Sequence, residues 1–432
     1  VASHQSETRI SSQGTSRPRA LYRFAVFTAA LTLVLLGAGG LVTSHGVGMA
    51  VPDWPNTFGY NMFFFPFSQW VGGVFYEHSH RLVASAAGFC TTVLAVWLYG
   101  KKARSFLRWL GVALLVLSLA TLLGMPLRWR DAAVLSLTGF AALISSFVWP
   151  RGESARPWLR RLGLIAFFAV VLQGILGGMR VVLFKDQIGI FHATLAQLFF
   201  ALICALALFT SQWWEKEFGS PWGGKREVAD YLISQPSTQL AWLCLGATAL
   251  ILVQLVLGAT MRHQHAGLAI PDFPLAYGKL WPAMDPGSID RYNQQRLEVL
   301  DANPITAFQV GLQMVHRLVA LGIFGMVTYS AWFAWRQIGK RDVSTGIAFV
   351  WLGVIVCQAL LGMATIWSNK AADIATAHVL VGAISLALGV LLSVILFAQI
   401  VMNRRASFVS TLRRTEPSAP FGTSAAPAAG ID

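Results

Sequence analysis

Ten long apolar runs dominate this chain, near residues 21–43, 78–99, 106–124, 132–149, 161–180, 188–211, 238–260, 310–335, 345–367 and 374–402. Each is long enough to cross about 30 Å of hydrocarbon as a helix. In lipid the backbone must satisfy its own polar groups, and runs of this length do so as helices. The expected fold is therefore all-α, a polytopic membrane protein of about ten transmembrane helices. A content of 55% hydrophobic and 12% charged residues, with a mean hydropathy of +0.59, excludes an ordinary soluble domain. The pair 106–124 and 132–149, joined by a short basic turn, is the weakest of the ten and is also readable as a re-entrant hairpin.

A net charge of +14 would suit nucleic acid if it were gathered on one surface. Here Lys and Arg fall in short clusters between apolar runs, the distribution that orients a chain in a membrane, so no nucleic-acid partner is expected. Lys101, Lys102, Arg104 and Arg108 lie on the same side as Arg156, Arg160, Lys216, Arg336, Lys340 and the two tails, whereas the stretch 44–76 has no Lys or Arg. The positive-inside rule then places both termini in the cytoplasm and the loops 44–76 and 261–307 outside. Residues 1–20 and 403–432 are expected as disordered cytoplasmic tails, the first being too polar for a signal peptide. Cys90, Cys204, Cys244 and Cys357 all fall in apolar runs and read as packing residues.

The chain repeats itself. Gly48-Met-Ala-Val-Pro-Asp-Trp-Pro55 has a counterpart in Gly267-Leu-Ala-Ile-Pro-Asp-Phe-Pro274, and Gln173-Gly-Ile-Leu-Gly177 in Gln358-Ala-Leu-Leu-Gly362. Two pseudo-repeated four-helix bundles follow: residues 21–212, carrying 106–149 as an inserted hairpin, and residues 238–402, with 213–237 as a cytoplasmic linker. The Pro-Asp-aromatic-Pro segments read as rigid turns that lid the bundles. Between Asp285 and Asn303, Ile289, Leu297 and Leu300 suggest a short amphipathic surface helix.

Glu77-His78-Ser79-His80-Arg81 and Gln313-Met314-Val315-His316-Arg317 occupy matching places. A charged group at membrane depth is unfavourable by about 2.5–3.5 kcal/mol, so such groups mark sites facing a bundle interior. His192 and His378 recur at the start of the last helix of each half, so each half brings two histidines to similar depth: His80 with His192, and His316 with His378. Two imidazoles from facing helices suit axial ligation of a haem iron, and two pairs suggest two haems. A zinc site would need a tighter His, Cys or carboxylate set; a proton relay through the histidines is the other reading. Glu77, on the same helical face as His80, gives the first site a carboxylate where the second has the amide of Gln313. Arg81 and Arg317 read either as partners of haem propionates or as side chains snorkelling to the interface. His78 points away from His80, and His45, His263 and His265 read as exposed polar residues near the outer loops.

Taken together, Glu77-x-x-His80-Arg81, His192, Gln313-x-x-His316-Arg317, His378 and the two Pro-Asp-aromatic-Pro loops resemble the haem A synthases of bacterial and mitochondrial membranes. The resemblance implies an oxidoreductase of the bacterial cytoplasmic membrane that oxidises a methyl group of haem O to a formyl group, giving haem A for terminal oxidases. By that resemblance His80, His192 and Arg81 would hold the substrate haem O and Glu77 would assist the reaction. His316, His378 and Arg317 would hold a permanent haem B. A haem O synthase and an electron donor would be its partners, and self-association is left open. The outer-loop cysteine pair of some members is absent. Two other functions fit the histidines: a di-haem electron carrier linked to quinol, without haem modification, and a haem transporter.

Overall fold

The computed structural model describes residues 19–125, 129–149, 155–183, 185–218, 236–295 and 304–415. Most of both expected tails, much of the linker, Leu297 and Leu300 lie outside these residues. Ten of the helices are long and apolar enough to cross a membrane, as the sequence leads one to expect. They are α1 (Arg19–Ser44), α2 (Gly72–Trp97), α3 (Ala103–Gly124), α4 (Trp129–Val148), α5 (Pro157–Leu183), α6 (Asp186–Thr210), α8 (Thr238–His263), α10 (Ala307–Ile338), α11 (Val343–Trp367) and α12 (Ala372–Thr415). Two shorter helices, α7 (Gln212–Phe218) and α9 (Pro286–Gln295), complete the described set. Helix α12 continues past residue 402 to Thr415, because no Gly or Pro interrupts it there.

α1, α2, α5 and α6 close one ring of four packed helices, and α8, α10, α11 and α12 close a second. The rings meet where α1 and α6 pack on α12 and α6 packs on α8. Buried side chains fill each ring at the ends away from the histidines, around Leu94, Leu159 and Ile203 in the first and Trp351, Leu240 and Leu386 in the second. Trp351 is fully buried, and its indole N–H donates to the Ser385 carbonyl at 2.9 Å.

The hairpin α3–α4 pairs chiefly with itself. Beyond Ala103 and Leu107 at the start of α3, the buried residues are small ones at heptad spacing: Gly111 and Ser118 on α3 and Ala132, Gly139 and Ser146 on α4. They allow close approach: a Cβ on Gly111 would lie 2.8 Å from the Gly139 carbonyl oxygen, the kind of seam that joins helices in lipid. Ser118 Oγ donates to the Ala132 carbonyl at 2.6 Å. Large side chains such as Trp109, Leu123, Leu137 and Val148 face outward, as a lipid-facing surface requires. The hairpin touches the first ring through Trp97 and Trp149, whose rings are 6.2 Å apart.

Candidate functional site: two facing histidine pairs

All four histidines enter from the same end of the two rings. His80 lies eight residues into α2, His192 six into α6, His316 nine into α10 and His378 six into α12, so each ring sits about 9–14 Å below its helix start. His80 and His192 stand at like depth in the first ring, and His316 and His378 in the second.

Each imidazole is placed by a glycine on the neighbouring helix. A Cβ on Gly39 would lie 2.9 Å from Cε1 of His80, on Gly177 3.4 Å from His192, on Gly258 3.4 Å from His316, and on Gly362 3.2 Å from His378. A larger residue at these positions would push the ring out of line. Gln173 Nε2 donates to the His192 carbonyl at 3.0 Å, and Gln254 Nε2 donates to the His316 carbonyl at 2.9 Å. The Gln254-x-x-x-Gly258 spacing repeats that of Gln173 with Gly177 and of Gln358 with Gly362 and was legible in the sequence, though only the packing shows its use.

The donor set fits an axially ligated haem. Nδ1 of His80, His192, His316 and His378 is in every case buried without a hydrogen-bond partner. A buried polar atom left unpaired is unfavourable, so each ring carries a nitrogen that a ligand would satisfy. The rings themselves are half-buried, which leaves a face for a flat ligand. Among the described residues no group of three or more His, Cys, Asp or Glu could hold a metal ion.

The two loops above the pairs are built alike. Asp53 accepts from the amides of Phe58 and Gly59 at 2.8 and 2.7 Å, and Asp272 from those of Tyr277 and Gly278 at 2.7 and 2.9 Å. Both Trp54-Pro55 and Phe273-Pro274 are cis. The position three before the histidine then latches each loop to its helix. Gln313 accepts from Ile270 N–H at 2.7 Å and donates to the Ile270 carbonyl at 3.2 Å. Glu77 has no proton to donate as a carboxylate, so two residues share the task. Glu77 accepts from Val51 N–H at 2.9 Å, and Arg81 donates to the Val51 carbonyl at 2.9 Å and to Glu77 at 2.7 Å. Arg81 also donates to the carbonyls of Asp53 and Asn56, as Arg317 does to Asp272 and Leu275. Both guanidiniums are thus engaged by loop carbonyls, a use that neither of the two sequence readings of them named.

The loops differ in how they lean on the bundle. Trp54 packs on Gly178 of α5, where a Cβ would meet its ring at 2.3 Å. Phe273 instead lies beside Trp367 and under the Arg317 guanidinium, and α9 covers the second loop through Tyr292 stacked on Tyr277 at 3.5 Å. Gly178→Val should lift Trp54 and lower stability by about 1–3 kcal/mol through overpacking. Thermal unfolding in detergent followed by tryptophan fluorescence reads this, and an unchanged midpoint would remove the contact from the loop's anchorage.

Of the remaining histidines, His78 is fully buried, bonded to Thr57 at 3.2 Å and edged by Trp70, so it supports the loop rather than the pair. His45 stacks on Tyr76 and is exposed, as is His265. His263 departs from expectation: it is 8% exposed and lies against Gly189 of α6, because the junction of the two rings covers the end of α8. Beside it Arg262 donates to the Gly40 carbonyl at 2.6 Å and to Ser44 Oγ, tying α8 to α1. The four cysteines are free, and Cys357 is exposed on α11, unlike the packed Cys90 and Cys244.

The chain is 25% identical to "Heme A synthase" of Geobacillus kaustophilus (strain HTA426) over 83% of its own length and 86% of that protein. It is 24% identical to the protein of the same name from Lysinibacillus sphaericus (strain C3-41), over 86% and 93%. With that of Rhodopseudomonas palustris (strain HaA2) it shares 28% over 61% and 66%. The profile of the family described as "COX15-CtaA: Cytochrome oxidase assembly protein" matches residues 130–390, a span that includes His192, His316, Arg317 and His378 and begins inside α4. With more than half of its length matched by that profile, the chain belongs to the COX15-CtaA family.

Proposed function

We propose that this chain is a haem A synthase, an oxidoreductase that converts one methyl substituent of haem O to a formyl group by two successive hydroxylations and loss of water. The observation that carries the reading is the duplicated pair of facing, glycine-cradled histidines, each with an unpartnered buried nitrogen, in a chain of this family. His80 and His192 flank the substrate haem O; His316 and His378 hold a resident haem B. When bound, haem B supplies one-electron transfer.

The inequality of the two pairs supports that division. Glu77, 4% exposed, places an acceptor-only carboxylate one helical turn from His80, where the second pair has a neutral amide. A fixed carboxylate beside the reacting site favours positive charge developing there, and Arg81 holds that carboxylate in place through a 2.7 Å ion pair. The carboxylate's hydrogen bonds also hold the loop shut over the pair and limit water. By the distribution of Lys and Arg, this end of the bundles faces outward and both termini are cytoplasmic. A haem O synthase upstream and a separate electron donor are its expected partners.

The test is the mass of haems extracted from membranes of a host that makes haem O but no haem A, with and without this chain. New haem A or its hydroxylated precursor supports the synthase; only haem B, from well-folded protein, would favour the di-haem carrier. Glu77→Gln should lower haem A output at least tenfold and leave the second haem bound. Gln313 latches the second loop as an amide; at 77 an amide keeps an acceptor for Val51 N–H but loses the ion pair to Arg81, so output is counted per mole of folded protein. Full output would take the charge of Glu77 out of the reaction and leave it as a latch.

A further inference from the structure

Gln173, Gln254 and Gln358 each stand four residues before a histidine-facing glycine; at the fourth such place, before Gly39, stands Leu35. The backbone register there is unchanged, since Gly39 approaches His80 as Gly177, Gly258 and Gly362 approach their own histidines. Only the amide is missing. On α8, the counterpart of α1, Gln254 donates to the His316 carbonyl at 2.9 Å and ties α8 to α10. On α5, Gln173 ties α5 to α6 through the His192 carbonyl, and on α11 Gln358 Nε2 lies 3.5 Å from His378 Nε2. Leu35 can make no such bond to α2. At the level of the ring, α1 and α2 are held by packing, with Gly39 against His80.

We infer that Leu35 sets the exchange rate of the first site: the missing tether lets α2 part from α1 to admit and release the tetrapyrrole, while the second pair, tied by Gln254 at the matching place, retains its own. The inference rests on the haem A synthase reading, which requires one site that turns over and one that does not. A hydrogen bond in an apolar bundle has no water to replace it, so breaking one slows opening of the helix pair. A single side chain then separates a substrate site from a cofactor site built on the same frame. Leu35 acts through the position of α2 and is a positioning residue.

The test uses the full chain purified from a host that makes haem B only, with haem B as the probe in both sites. Transfer to excess apomyoglobin is followed by absorbance. The wild type should release haem in two phases, the slow one absent from His316→Ala. Leu35→Gln, which restores the amide found at Gln254, should slow the fast phase about tenfold and leave the slow phase unchanged. Gln254→Leu should quicken the slow phase by a similar factor, and decides the matter if Leu35→Gln does not fold. A single phase, or two phases that the folded variants leave unmoved, overturns the inference and leaves the synthase reading standing. Wild-type protein that binds no haem overturns both.

Discussion

Alanine at His316 or at His378 should lower the haem B retained by the purified protein at least tenfold. Each pair offers one imidazole per axial position, and the neighbouring side chains offer no replacement: Gly258 and Gly362 face the rings, and among the described residues no third His, Cys, Asp or Glu completes a cluster. Losing either ligand therefore removes half of the coordination rather than shifting it to a neighbour. Haem extracted per mole of folded protein is the measurement, with His45→Ala, an exposed position stacked on Tyr76, as the control. Full haem B in both variants would refute the ligand assignment. The same change at His80 or His192 should leave the slow-exchanging haem in place and abolish formation of haem A.

Arg81→Ala should destabilise the protein by about 3–5 kcal/mol, the range for breaking one side of a buried ion pair. The side chains of Arg81 and Glu77 are 10% and 5% exposed and 2.7 Å apart. Deleting the guanidinium leaves the carboxylate without its counter-charge and three loop carbonyls, of Val51, Asp53 and Asn56, without its donors. Arg317→Ala removes two such bonds but leaves behind the neutral Gln313, so about 1–3 kcal/mol is expected there. Thermal unfolding in detergent compares the two, with limited proteolysis of each loop as a second readout. Equal losses would mean that the charge on Glu77 contributes nothing to the latch. Lys at position 81 should recover little, because one ammonium cannot replace a planar fork that reaches four oxygens.

The helices, the repeat and the depth of the histidines were legible because they rest on local signals. Ten apolar runs dictate ten helices when backbone groups have no water to bond. The offset between Gly48–Pro55 and Gly267–Pro274 fixes which residues correspond. Once two helices of each half enter from one end, histidines at like distance from that end share a depth. The asymmetry of Glu77 and Gln313 was visible for the same reason.

What the chain could not disclose was which atom each polar side chain meets. Arg81 and Arg317 read equally well as partners of carboxylates or as groups reaching for the interface. The structure gives them to loop carbonyls that are far off in sequence and close only once the loop folds back. His263 looked like the exposed end of a helix, and it is buried because a second ring happens to dock there through Gly189. Leu35 is an unremarked apolar residue in an apolar helix until the register of Gly39 against His80 shows it in a place where glutamine stands three times. Sequence by itself determined the helices, their order and their internal symmetry, since hydrophobic length and repetition act locally. Tertiary structure alone decided the hydrogen-bond partners, because each depends on a contact between helices whose spacing and rotation no single segment encodes.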